Sequence, residues 1–214
     1  SPAPSVQVAP RTVQSEKAIQ ALCIGVSTGG PKALMAIIPK LPKLDIPVFI
    51  VIHMPPVFTH SMAQRLDSLS QLTVVEAADH EAVVSNTVYI APGGRHMKVV
   101  KTGVECTIKL DDSEHVNSCR PAVDYTWRSI ADSYRGNVLS VILTGMGQDG
   151  TQGVKLLKEL GATSFTQTED SCVVYGMPRS VVEAGLSDHQ YSVEQMSDEI
   201  VNFIMKRNRK PQLA

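Results

Sequence analysis

Long apolar runs are missing from this 214-residue chain. None reaches the length of a membrane-spanning helix, and the longest, Pro47 to Met54, has the length of a strand. Excess charge of either sign is missing too. Lys and Arg number 20 against 21 Asp and Glu, for a net charge of −1, so no field favours a nucleic-acid or anionic-membrane partner. Cysteine is scarce: Cys23, Cys106, Cys119 and Cys172 form no C-x-x-C pair and no His/Cys cluster, and their spacing suggests no structural zinc site. Such a set suits reduced thiols and a cytoplasmic location, with Cys23 acting as a small hydrophobe inside a strand. The amino-terminal residues are Pro- and Ser-rich and lack the apolar core of a signal peptide. There is no internal repeat. What remains, 43% hydrophobic and 19% charged, reads as a globular protein long enough to bury a sizeable core.

Residues 1–19, with Pro2, Pro4 and Pro10, read as an interdomain linker or disordered tail, 20–205 as the folded domain and 206–214 as a basic carboxyl-terminal tail. Within the domain, apolar runs at Ala21–Val26, Pro47–His53, Thr73–Ala77, Thr87–Ala91, Asn137–Leu143 and Ala162–Thr166 predict strands. Helical spacing marks Lys32–Leu41, Thr59–Leu69 (with Thr59 as N-cap), Pro121–Tyr134, Thr151–Leu160, Met177–Ala184 and Val193–Met205. Met97–Lys101 and Val104–Leu110, joined through Gly103, predict a β-hairpin, and Asp111–Asn117 a polar loop. The alternation argues for a doubly wound α/β fold: a mostly parallel sheet with helices on both faces and the antiparallel hairpin at one edge.

The chemistry gathers at strand ends. Gly25-Val26-Ser27-Thr28-Gly29 ends the first strand in a G-x-S-x-G turn, and Pro31 suits the helix that follows. On its own such a serine is as readily a cap or a phosphate ligand. His53 ends the next strand 26 residues later, about one βαβ unit, so both side chains emerge on one rim. Asp149 follows the strand ending at Leu143, in a loop with Gly145, Gly147 and Gly150. A serine hydroxyl needs a base, and the base needs an orienting carboxylate; Ser27, His53 and Asp149 fit those roles. The Met146 amide is the candidate oxyanion donor. His96 is a weaker rim candidate. His60, His80, His115 and His189 read as surface residues, and Met35, Met54 and Met62 as core or pocket wall.

Six motifs in order carry a resemblance: Gly-x-Ser-Thr-Gly-Gly-Pro, His53-Met54-Pro55, Tyr89-Ile-Ala-Pro-Gly-x-x-His96-Met97, Arg120-Pro-Ala-Val-Asp124, Leu143-Thr-Gly-Met-Gly-Gln-Asp-Gly150 and Val174-Tyr-Gly-Met-Pro178. Over roughly residues 20–205 the chain resembles the catalytic domain of chemotaxis protein-glutamate methylesterases of the CheB type. The resemblance implies a Ser-His-Asp triad falling on Ser27, His53 and Asp149, an oxyanion contact at Met146 and a supporting role for Thr28. It implies removal of methyl groups from glutamate γ-methyl esters on the cytoplasmic helices of chemoreceptors, releasing methanol, and deamidation of receptor glutamines by the same chemistry. It implies no metal or organic cofactor and a phosphorylatable receiver domain preceding the linker. Arg120, Tyr175 and Arg179 are candidates for the substrate groove. The segment Thr166–Asp170 departs from the family's Ala-Gln-Asp-Glu run, which leaves that loop without an assigned role. The alternatives are a general α/β-hydrolase esterase, whose usual order places the acid before the histidine, and a non-enzymatic nucleotide- or receptor-binding module.

Overall fold

The computed structural model describes residues 17–209. The proposed linker residues 1–16 and the tail residues 210–214 lie outside the described residues.

Seven parallel strands form one sheet: β1 (Ala21–Val26), β2 (Val48–Ile52), β3 (Thr73–Glu76), β4 (Thr87–Ile90), β7 (Val138–Ile142), β8 (Thr163–Gln167) and β9 (His189–Tyr191). Their order is β3-β4-β2-β1-β7-β8-β9. The chain winds outward from β1 through β2, then returns to the other side of β1 at β7. That reversal opens a crevice at the carboxyl ends of β1 and β7, where ligands bind in open α/β sheets. Right-handed crossovers place helices on opposite faces before and after such a reversal. Helices α1 (Gly30–Ile37), α2 (Phe58–Leu69) and α6 (Val193–Asn208) cover one face, burying Leu34, Ile37, Met62, Met196 and Ile200. Helices α3 (Val123–Tyr134), α4 (Thr151–Glu159) and α5 (Met177–Glu183) cover the other, burying Trp127, Ile130, Val154, Leu157 and Val181. The central strands are buried on both sides, which is why they read as unbroken apolar runs.

The hairpin, β5 (His96–Thr102) and β6 (Glu105–Asp111), is antiparallel and makes a two-stranded sheet of its own. It packs on the α3 side, with Met97, Val99 and Ile108 in that face's core. Hydroxyls on one stripe of α3 meet the backbone of β5: Thr126 donates to the Met97 carbonyl (2.8 Å), Ser133 to that of Val99 (2.8 Å), and Ser129 accepts from the Val99 amide (3.0 Å). The helix thus satisfies backbone groups that a strand edge would leave unpaired.

Four elements differ from the sequence reading. Helix α1 stops at Ile37 and a single 3₁₀ turn carries the chain to Lys40, because Pro39 cannot continue an α-helix. Thr59 does not cap α2. Its hydroxyl donates to Glu76 (2.5 Å) and accepts from the Gly93 amide (2.9 Å), and the helix begins at Phe58 instead. Strand β9 is short and polar, an edge strand without an apolar pattern to announce it. Helix α6 also runs on to Asn208, into the segment read as tail, because the Asn208 amide pairs with both backbone groups of Ile19 (2.7 and 2.9 Å).

Candidate active site

The ladder pairs Val26 with Ile52 and Gly25 with Ile142. It continues past the strand ends: the His53 amide donates to Val26 (3.2 Å), the Leu143 amide to Gly25 (2.9 Å) and the Ser27 amide to Thr144 (2.9 Å). Ser27, His53 and Thr144 therefore stand abreast. Strand alternation sends Leu22, Ile24 and Val26 to the α1 face and Cys23 to the α3 face. One step further, Ser27 and His53 fall on the α3 side.

Close approach at this rim requires glycine. Gly29 turns the chain at φ 82°, and a side chain there would also meet Val173 at 2.6 Å. A Cβ at Gly145 would stand 2.7 Å from Ser27 Cβ and 2.5 Å from Met177 Sδ. Thr144 laces the neighbouring turns together. Its hydroxyl donates to the Thr28 carbonyl (2.9 Å) and accepts from the Val173 and Val174 amides (3.0 and 3.1 Å). Gln167, buried at the end of β8, accepts from the Thr144 amide (2.8 Å) and donates to the Ser171 carbonyl (2.8 Å). The 166–170 segment, left without a role by the sequence, thus braces the floor of the site.

Asp149 is buried and surrounded by donors. His53 Nε2 lies 2.7 Å from Oδ2, the Val123 and Asp124 amides donate at 2.6 and 3.0 Å, and Asn117 Nδ2 donates at 2.8 Å. Val123 and Asp124 open α3, so the carboxylate sits on unpaired amides at the positive end of a helix. Burial pushes the Asp149 carboxyl upward, but His53 and these amides outweigh it and hold it below its ordinary value. Asn117 donates from the same nitrogen to Asp124 (2.8 Å), which also accepts from the Gly153 amide (2.7 Å). Burial raises the Asp124 carboxyl, these two donors oppose it, and the nearby Asp149 charge adds to the rise.

Burial works against the charged His53 imidazole, yet the Asp149 hydrogen bond, the Cys119 contact and the Asp149 charge raise its pKa to about 9. With Nε2 turned to the carboxylate, Nδ1 is the nitrogen free to take a proton. Cys119 Sγ lies 3.6 Å from Nδ1, and among the described residues no hydrogen bond joins Nδ1 to Ser27 Oγ. His53, Cys119 and Asp149 are also the group of potential metal ligands found among the described residues. A cavity of about 330 Å³ opens beside His53, walled by Pro55, His115, Cys119 and Arg120. A larger cavity, about 500 Å³, lies at the opposite end of the strands between Gln20, Pro47 and the hairpin, far from this chemistry.

Met146 tops the β7–α4 loop, 73% exposed, and among the described residues none accepts a hydrogen bond from its amide. Thr28 is exposed in the β1–α1 turn. Tyr175 bridges to Gly145 beside the same loop. Arg120 lines the His53 cavity, but its guanidinium donates to the Asp112 and Ser113 carbonyls (2.9 and 3.2 Å). Arg179 pairs with Glu183 along α5 (2.7 Å). His96 is fully buried, stacked on Tyr125 and bonded to the Glu114 carbonyl (2.9 Å), so it is a structural residue and not part of the rim. Asn117, Cys119, Asp124 and Gln167 escape sequence reading. Three of the four lie on loops or strand ends without periodicity, and only Asp124 falls within a recognisable motif.

A protein-glutamate methylesterase/protein-glutamine glutaminase of Desulfotalea psychrophila is 46% identical over 93% of this chain and 55% of its own length. One of the same name from Bacillus subtilis is 44% identical over 87% of this chain and 53% of its own. The chain thus spans about half the length of these curated relatives. The crystal structure of the Thermotoga maritima CheB methylesterase catalytic domain superposes with a TM-score of 0.84 at 43% identity, covering 87% of this chain and 99% of that one. The CheB methylesterase family model matches residues 22–200, and the chain belongs to that family.

Proposed function

We propose that this chain is the hydrolytic domain of a protein-glutamate methylesterase, with Ser27 as nucleophile, His53 as general base and Asp149 as the carboxylate that orients it. The observation that carries the reading is the rim itself: Ser27 and His53 abreast on adjacent parallel strands, with the imidazole fixed by a carboxylate seated on the first amides of α3. His53 Nδ1 takes the Ser27 proton as Oγ attacks the γ-ester carbonyl of a methylated receptor glutamate. The Met146 amide stabilises the oxyanion, with Thr28 in support. The imidazolium protonates the departing methoxide, methanol leaves, and water, activated by the same base, frees the glutamate. A glutamine side chain follows the same course with ammonia leaving. Tyr175 borders the oxyanion loop and Arg120 the His53 cavity, so these two are the better placed of the groove candidates; Arg179, held by Glu183, is less so.

The partners in this reading are the cytoplasmic helices of methylated chemoreceptors, with residues 1–19 linking to a receiver domain. The test is methanol release from a methylated receptor. Ser27→Ala should lower it by roughly 10³-fold or more while leaving the circular dichroism spectrum unchanged. Turnover near that of the unaltered chain would remove the assignment.

A further inference from the structure

Cys119 takes no part in the chemistry above, yet it faces the nitrogen on which that chemistry turns. Its Sγ lies 3.6 Å from His53 Nδ1, and one ligand atom each from His53, Cys119 and Asp149 falls within 4.8 Å of the other two. All four cysteines are free thiols. Cys23 is sealed in the core, whereas Cys119 is half-buried on the wall of the cavity that opens at His53. A second imidazole, that of His115, lines the same cavity from an exposed position.

The spacing fits coordination. A tetrahedral zinc-class ion binds imidazole nitrogen at about 2.0–2.1 Å and thiolate sulfur at about 2.3 Å, which sets those two ligands roughly 3.5 Å apart. The Cys119–His53 pair already stands at 3.6 Å. Thiolate and imidazole together select a thiophilic divalent transition metal over calcium or magnesium. The nearby cation, Arg120, is turned away, donating to the carbonyls of Asp112 and Ser113.

We propose that Cys119 Sγ and His53 Nδ1 form an inhibitory site for a zinc-class divalent ion, its remaining positions filled by water from the open cavity, while Asp149 stays on Nε2 and orients the ring. Binding replaces the Cys119 thiol proton with a metal–sulfur bond and, where the imidazole starts protonated, displaces the Nδ1 proton as well, both protons leaving to solvent. The lone pair of Nδ1 is donated to the metal, so it no longer accepts the Ser27 proton, and the hydrolase is silent until the ion is removed. The silencing half rests on the functional reading above; the binding half does not.

The test uses cobalt(II) as a spectroscopic probe and zinc(II) as the inhibitor on the whole chain. One equivalent of cobalt should bind with a thiolate-to-metal charge-transfer band in the near ultraviolet, and zinc should displace it. Cys119→Ser should lose the band and need roughly tenfold or more zinc for half-inhibition, each protein compared with its own metal-free rate. A chelator should restore the original rate. The thermal midpoint of Cys119→Ser, measured without metal, checks that the variant is folded. Absence of a cobalt–thiolate band, or the same band and the same zinc sensitivity in Cys119→Ser, overturns the site. A chain that shows the Cys119-dependent band but hydrolyses no methyl ester supports the site and removes the functional reading, and the silencing with it.

Discussion

His53 carries opposing influences, and their balance has a measurable sign. Burial disfavours its imidazolium, but the Asp149 hydrogen bond and charge, together with the Cys119 contact, lift its pKa to about 9 from an ordinary 6.5. The base must be neutral to accept the Ser27 proton, so methanol release should climb through neutral pH and level off near pH 9. Asp149→Asn removes the anion that raises the pKa. Its profile should bend at lower pH, with a plateau lower by about 10⁴-fold. A profile of the unaltered chain that is already flat at pH 7 would contradict this electrostatic picture. The sign for stability follows from the same shift. A raised histidine pKa contributes stability in full below about pH 6.5, and that contribution is lost as pH rises through about 9, so activity and this part of stability move in opposite directions with pH. At this scale the sequence shows Ser27 and His53, because a strand end is announced by the apolar run before it, and Asp149 through the glycine-rich loop that follows another such run. It does not show Asn117 or Cys119, whose importance comes only from what the fold lays beside them.

Helix α3 serves three neighbours at once. Its first amides hold Asp149, its apolar side carries Trp127 and Ile130 into the core, and Thr126, Ser129 and Ser133 meet the hairpin. The sequence reveals the apolar side through its helical spacing. The hydroxyl stripe looks like ordinary surface until β5 is placed against it. Helix α4 approaches α3 at Gly153, where an added Cβ would stand 2.5 Å from Trp127 Cβ and 3.2 Å from Asp124 Oδ1. Gly153→Ala should therefore lower stability by about 1–3 kcal/mol through overpacking, outweighing the gain in helix propensity of about 1 kcal/mol. Denaturant titration measures it, and a variant as stable as the parent would show that the two helices separate freely. Gly145→Ala makes a contrasting case. Its Cβ would press on Ser27 Cβ at 2.7 Å and on the buried Met177 Sδ at 2.5 Å; the flexible thioether can give way where the Ser27 backbone cannot, so methanol release should fall further than stability does. Equal losses in both would mean that the β7–α4 loop is part of the folding core and not only a frame for the nucleophile.

Across the whole molecule, two apolar cores lie on opposite faces of one sheet, and the central strands contribute alternate side chains to each. The sequence shows that these strands are buried on both sides but not which helices share a face, because that depends on the direction of winding from β1. A shared sheet gives neither core a way to unfold alone: the strands that put Leu22, Ile24 and Ile50 into one core put Cys23 and Phe49 into the other. The single tryptophan, Trp127, reports on the α3 face. Ile200 is fully buried on the α1 face. Ile200→Ala should cost about 2–5 kcal/mol, within the usual range for such a truncation. If the sheet couples the two faces, the Trp127 fluorescence transition should shift to lower denaturant by as much as the far-ultraviolet circular dichroism transition, although the deleted atoms lie across the sheet. A circular dichroism transition that moves or splits while the Trp127 transition stays in place would show instead that the faces melt separately, and that the rim joining Ser27, His53 and Asp149 spans two units rather than one.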